Sequence, residues 1–160
     1  MSFYSAQPED LLFDAARRGD AAYLKQVIDN GMNINVQNGK GFTPLIVAAY
    51  DGHVEATKLL LEAGAYVDVQ DVSGNTALMG VSFKGYVDIA QLLIDYDADL
   101  NIQNGNGGTA LMFATLFGRN QIVKLLVERG ADQSIQDVRG LTAQGLAHQQ
   151  GNEEAMQWLS

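Results

Sequence analysis

Gly41-Phe42-Thr43-Pro44-Leu45-Ile46-Val47-Ala48-Ala49-Tyr50-Asp51-Gly52 is the stretch whose reading decides the architecture. The Thr43 hydroxyl can cap a helix, and Pro44 falls in a first turn, where its missing N–H costs no hydrogen bond. A short helix is therefore predicted from Pro44, with Ala48 and Ala49 small enough for a neighbouring helix to approach closely. Gly52 ends it, because a residue with a side chain resists the left-handed backbone found there. Val54 to Glu62 resumes helical spacing, with Leu59, Leu60 and Leu61 as apolar surface and Glu55, Lys58 and Glu62 on the wet face. Gly64 stops this second helix. The residues from Ala65 to Gly74, rich in Asp and β-branched side chains, favour an extended arm and a tight turn.

Outward from this stretch the same pattern recurs. Thr43, Thr76, Thr109 and Thr142 follow one another at steps of 33 residues, each preceded by a glycine at Gly41, Gly74, Gly107 and Gly140. A second glycine column runs Gly19, Gly52, Gly85, Gly118 and Gly151, and Gln37, Gln70, Gln103 and Gln136 close successive units. A third, Gly31, Gly64 and Gly130, is broken by Asp97. Helices this short are marginal alone, since isolated helices below about 12–15 residues barely form in water. Stacking of unit on unit must supply the stability, as in a quasi-one-dimensional solenoid with special ends. The ends are special: Asp10 takes the threonine position and Gln26 a leucine position, while Gln144 and Gly145 replace Leu45 and Ile46. The predicted organisation is one domain over 1–160. It comprises an N-terminal cap at 1–37, internal repeats at 38–70, 71–103 and 104–136, and a truncated C-terminal cap at 137–160.

The chain's 160 residues, 47% of them hydrophobic, suffice for one globular unit burying about two-thirds of its unfolded surface. Ten Lys and Arg against nineteen Asp and Glu leave a formal charge of -9, which argues against nucleic-acid or anionic-membrane binding. No cysteine is present, so disulfides, thiolate metal sites and thiol catalysis are ruled out together. The N-terminal Met1 to Phe13 has no basic region leading into an apolar run, and no stretch nears the roughly 18 apolar residues that span a bilayer. These features predict a cytoplasmic protein.

Thr43-Pro44-Leu45, Ala48-Ala49, Gly52-His53, Leu59-Leu60-Leu61 and Gly64-Ala65 together resemble the ankyrin-repeat family, with its 33-residue period and T-P-L-H-x-A signature. The third and fourth units match with Thr-Ala-Leu in place of Thr-Pro-Leu, and the resemblance covers about residues 8–160. It implies an all-α solenoid of about five helix-turn-helix units with β-turn arms, which binds another protein on its concave face. It further implies a stand-alone module serving as an inhibitor, adaptor or protective partner. One departure concerns the family histidine, replaced here by Ile46, Met79 and Met112. The hydrogen bonds that this histidine usually makes between repeats are lost, and apolar packing must replace them.

Other motifs dissolve into this pattern. Gly105 to Ala110 satisfies G-x-G-x-x-A, but Gly107 and Thr109 belong to the repeat columns and no buried strand precedes them, so the run reads as a turn. Asn38-Gly39-Lys40-Gly41 lacks the spacing of a phosphate loop. His53 and His148 lie in different units, too far apart to share a metal or form a dyad. Asp68, Asp71, Asp99 and Asp137, like the asparagines from Asn30 to Asn106, suit turns and arms. Neither an enzymatic activity nor a cofactor nor a metal is expected.

Surface recognition remains. The resemblance places the concave face at the turn tips and the exposed ends of the first helices. The residues before the second glycine column are Arg17-Arg18, Tyr50-Asp51, Phe83-Lys84, Leu116-Phe117 and Gln149-Gln150, the first four pairs supplying the aromatic and basic side chains. With Phe42 nearby, they give the candidate partner-binding set Arg17, Arg18, Phe42, Tyr50, Phe83, Lys84, Leu116 and Phe117. Exposed aromatic residues rimmed by charge mark interaction surfaces. The competing reading folds some of these rings onto neighbouring helices as core. Arg17, Arg18, Lys40, Lys84 and Arg139 also place half of the ten basic residues at such positions. A partner with an apolar anchor flanked by carboxylates fits, on a monomer or a weak homodimer. The same stripe as a homodimer interface is the alternative. A small-molecule sensor is a third reading, which would need a deep pocket.

Overall fold

A computed structural model of the chain describes residues 8–160. Residues 1–7, which include the start of the predicted N-terminal cap and most of the segment read for a leader, lie outside the described residues. Ten helices and no strand are found among the described residues. They are α1 (Pro8–Arg18), α2 (Ala21–Asp29), α3 (Pro44–Tyr50), α4 (Val54–Glu62), α5 (Ala77–Lys84), α6 (Val87–Asp95), α7 (Ala110–Leu116), α8 (Asn120–Glu128), α9 (Ala143–Gln150) and α10 (Glu153–Met156). The architecture is the expected all-α repeat solenoid.

Each odd-numbered helix packs on the even one that follows it. The odd helices also stack on one another in a row from α1 to α9, and the even helices from α2 to α10 form a second row. The helix starts follow from local chemistry. Thr43, Thr76, Thr109 and Thr142 accept from the N–H three residues on, at 3.2, 3.2, 3.3 and 3.2 Å, so each odd helix from α3 onward begins with a satisfied donor. Pro44 opens α3 as its sequence predicts. At the N-terminal end Asp10 is no cap; it lies exposed inside α1. Ile46, Met79 and Met112, standing in for the family histidine, are all buried.

Between helix pairs the chain forms a turn whose tip stacks on the next tip. Asn38, Asp71, Asn104 and Asp137 each accept two backbone N–H groups inside their own turn, as Asn38 does from Lys40 and Phe42 at 3.0 Å each. Val72, Gly105 and Val138 N–H then donate to the carbonyls of Lys40, Ser73 and Asn106 in the preceding tip, at 3.1, 3.0 and 3.0 Å. The glutamine column works alongside. Gln37, Gln70 and Gln103 Nε2 each donate to the carbonyl of Gly41, Gly74 or Gly107 in their own turn and to that of the next glutamine. Gly105 to Ala110 is one of these turns followed by the first residue of α7, as read from the repeat.

Candidate functional site

The last residue of α3, the last but one of α5 and the residue after α7 bring three rings together. Tyr50 and Phe83 stack in parallel with centroids 6.3 Å apart, and Phe83 meets Phe117 edge-on at 4.6 Å with an interplanar angle of 83°. Both arrangements suit the ring quadrupole. Lys84 Nζ lies 4.8 Å from the Tyr50 centroid, a cation–π contact. Tyr50 is 40% exposed and Phe117 42%, while Phe83 between them is half-buried. The rings pack on each other along the helix ends, and Tyr50 and Phe117 still face solvent.

Gly80 explains the Tyr50 position. A Cβ at Gly80 would stand 3.1 Å from Tyr50 Cδ1, so the ring lies against bare backbone of α5. The same column holds Val47, Phe113 and Leu146, and the glycine among them is the trace of this contact in the sequence.

The backbone from which the stripe projects is held by residues that column reading did not single out as binding. His53 Nε2 donates to the Arg17 carbonyl at 2.8 Å, Arg119 Nε to the Phe83 carbonyl at 3.0 Å, and Asn152 Nδ2 to the Thr115 carbonyl at 3.2 Å. His53 and Arg119 reach across because Gly19 and Gly85 have no side chain. A Cβ there would lie 2.5 Å from His53 Nδ1 or 2.8 Å from Arg119 Cδ. The second glycine column is left-handed throughout, and at Gly19, Gly52 and Gly85 it also leaves room for the next unit's side chain.

The remaining predicted residues divide. Phe42, Arg17 and Tyr50 line a groove of about 730 Å³ between the turn tips and α3 and α5, with Lys40 at its rim. Leu116 lines a second, smaller hollow of about 320 Å³ with Phe113 and Arg139. Arg18 is not brought into either; its guanidinium pairs with Asp14 at 3.0 Å and Asp20 at 3.8 Å on the exposed end of α1. Arg139 is likewise tied to Asp137 at 3.0 Å. Burial pushes the Asp137 carboxyl up, but the N–H of Leu141 and the side chain and N–H of Arg139 outweigh it and hold the group below the ordinary aspartate range.

Two rows of short helices linked by stacked turns define a helical-repeat solenoid, with a grooved face where the turn tips meet the odd helices. The family model for ankyrin repeats, in three copies, matches residues 12–104 and 79–160, and the chain belongs to the ankyrin-repeat family. A Pseudomonas aeruginosa protein named for its ankyrin repeats is 41% identical over 44 residues, which are 28% of this chain and 26% of that relative. The matched region thus spans about a quarter of the relative's length. Ankyrin repeats are protein–protein interaction modules. Among the described residues no helix is long and apolar enough to cross a membrane.

Proposed function

We propose that this chain binds another protein through the face formed by its turn tips and odd-numbered helix ends. The contact residues are Arg17, Arg18, Phe42, Tyr50, Phe83, Lys84, Leu116 and Phe117. The observation that carries this reading is the run of Tyr50, Phe83 and Phe117 in mutual contact while two of the three rings stay some 40% open to solvent. Rigid rings already packed together lose little side-chain freedom on binding and offer a large apolar area, which is why such residues dominate recognition surfaces. In this proposal the chain acts without catalysis, as an inhibitor, adaptor or protective partner, and its first and last units, 1–37 and 137–160, cap the internal repeats 38–70, 71–103 and 104–136.

The test is affinity capture from lysate with wild type and a Tyr50→Ala, Phe83→Ala, Phe117→Ala variant, both checked for folding and followed by light scattering. A partner held by wild type and released by a folded, monomeric variant is the expected result. Equal capture by both proteins overturns the stripe as the binding surface. Dimerisation of wild type alone, with no partner captured by either, makes the stripe a homodimer contact instead.

A further inference from the structure

An asparagine followed by glycine is chemically labile, because the bare glycine lets the next backbone nitrogen approach the asparagine side chain closely. Four such pairs occur here: Asn30-Gly31, Asn38-Gly39, Asn104-Gly105 and Asn106-Gly107. Attack needs a glycine nitrogen free to lose its proton, electron withdrawal from the asparagine Cγ, and an amide nitrogen free to leave. The four pairs differ in these respects.

Gly31 N–H is tied to the Ile28 carbonyl at 3.0 Å and Gly107 N–H to that of Asn104 at 2.9 Å, both glycines having left-handed backbone. Asn38 and Asn104 hold the same place in the repeat, two units apart, each within Gln-Asn-Gly. In each, Oδ1 accepts two backbone N–H groups, from Lys40 and Phe42 at 3.0 Å each or from Asn106 and Gly108 at 3.0 and 2.8 Å. Donors on that oxygen draw electron density from Cγ and stabilise the oxyanion that attack creates there. The two sites part at the other requirements. Gly105 N–H donates to the Ser73 carbonyl at 3.0 Å as part of the tip-to-tip row, and Asn104 Nδ2 donates to Asn75 Oδ1 at 2.8 Å. Gly39 is exposed, and among the described residues neither its N–H nor Asn38 Nδ2 meets an acceptor.

We infer that Asn38 is a self-modification site on the lining of the larger groove, converted by water alone to aspartate and isoaspartate ahead of the other Asn-Gly pairs. Hydroxide takes the proton from Gly39 N, the nitrogen bonds to Asn38 Cγ, and the former amide nitrogen takes up a proton and leaves as ammonia. The resulting succinimide is opened by one water, so that overall one water enters and one ammonia departs. Opening at Cγ leaves an aspartate at position 38. The turn accommodates it, since Asp71 and Asp137 hold the same place and accept the equivalent pair of N–H groups. Opening at the main-chain carbonyl instead routes the backbone through the former side chain and removes the acceptor of the Lys40 and Phe42 N–H groups. Either product adds a carboxylate to a groove whose charged lining, Arg17 and Lys40 against Asp51 and Asp71, is otherwise balanced. The chemistry is independent of what this face binds.

The test incubates the folded full chain at mildly alkaline pH and follows each pair by peptide mapping with tandem mass spectrometry, electron-transfer fragmentation separating aspartate from isoaspartate. Asn38 is expected to lose ammonia first, about tenfold faster than Asn104, whose two further hydrogen bonds must break before attack. In concentrated urea the shared Gln-Asn-Gly sequence should bring the two rates together. Gly39→Val should arrest the reaction at Asn38, because a β-branched side chain crowds the nitrogen, and Val72 and Val138 already stand at that place in later tips. Far-UV circular dichroism should show this variant and Asn38→Asp folded as wild type, with isoaspartate-bearing protein melting below Asn38→Asp. Asn30, Asn104 or Asn106 leading in the folded chain, no faster loss at Asn38 folded than in urea relative to Asn104, or undiminished loss in folded Gly39→Val each overturn the inference.

Discussion

Asp97 stands where the repeat elsewhere has Gly31, Gly64 and Gly130, and among the described residues it is the one non-glycine at positive φ, +66°. Left-handed backbone strains a residue with a Cβ, so Asp97→Gly is expected to stabilise the protein by about 1 kcal/mol in urea unfolding. Gly41 shows the reverse. It has φ +78°, and a Cβ would come within 2.8 Å of the Val72 amide nitrogen, backbone that is itself held in the tip-to-tip bond. Gly41→Ala is expected to cost more than about 2 kcal/mol by the same measurement. Asp68 shares its column with Asn35 and Asn101, and accepts the Asp99 N–H at 2.9 Å as those two accept from Tyr66 and Asp132. Partial burial lifts its pKa, the Asp99 N–H pulls it down and the Asp99 carboxylate adds to the lift, leaving it above the ordinary value. A folded-state pKa above the unfolded one means stability is fully present below the unfolded value and declines as pH rises through the folded one. Asp68→Asn keeps the acceptor and removes that decline. Its melting temperature should exceed wild type near about pH 7, and the advantage should vanish near about pH 3. An equal advantage at both pH values would point away from ionisation.

Helix starts carry their own stability. Thr76 is buried and caps α5 by accepting the Met79 N–H at 3.2 Å. Thr76→Ala removes that acceptor and is expected to cost about 1 kcal/mol, while Thr76→Ser retains the oxygen and most of the stability. The boundaries of α3 and α4 were legible in the sequence because Thr43, Pro44, Gly52 and Gly64 are local signals, and each states its meaning within a turn of itself. The stacking of Tyr50 on Phe83 was not legible to the same degree. It depends on Gly80, thirty residues away in sequence, leaving bare backbone for the ring. Phe117 likewise meets Phe83 from one place beyond the column, while Leu116, in the column, lines a hollow instead.

A solenoid joined only through neighbours unfolds according to where it is weakened. Leu126, fully buried in α8, lies in the even row next to α10, and Trp158, the chain's one tryptophan, follows α10. Leu126→Ala removes core volume near this end and should cost about 2–5 kcal/mol. Trp158 fluorescence should then report a lower urea midpoint than far-UV circular dichroism, which averages over all helices. Leu93→Ala, in the central α6, should instead lower both signals together, because it loosens the contacts of α6 with α4 and α8 on either side. Coincident midpoints in Leu126→Ala would show that the molecule unfolds as one block.

The period of 33 residues, and with it the row of helix pairs, was written in the sequence, since capping threonines, turn asparagines and helix-ending glycines act on backbone a few residues away and repeat the message unit after unit. Tertiary structure alone decided how the stripe is built. Contacts such as His53 with the Arg17 carbonyl, Arg119 with that of Phe83, and Tyr50 over Gly80 join residues 30 to 36 positions apart. A side chain adopts the rotamer for which the adjoining unit leaves room, and that room exists only once the units are stacked.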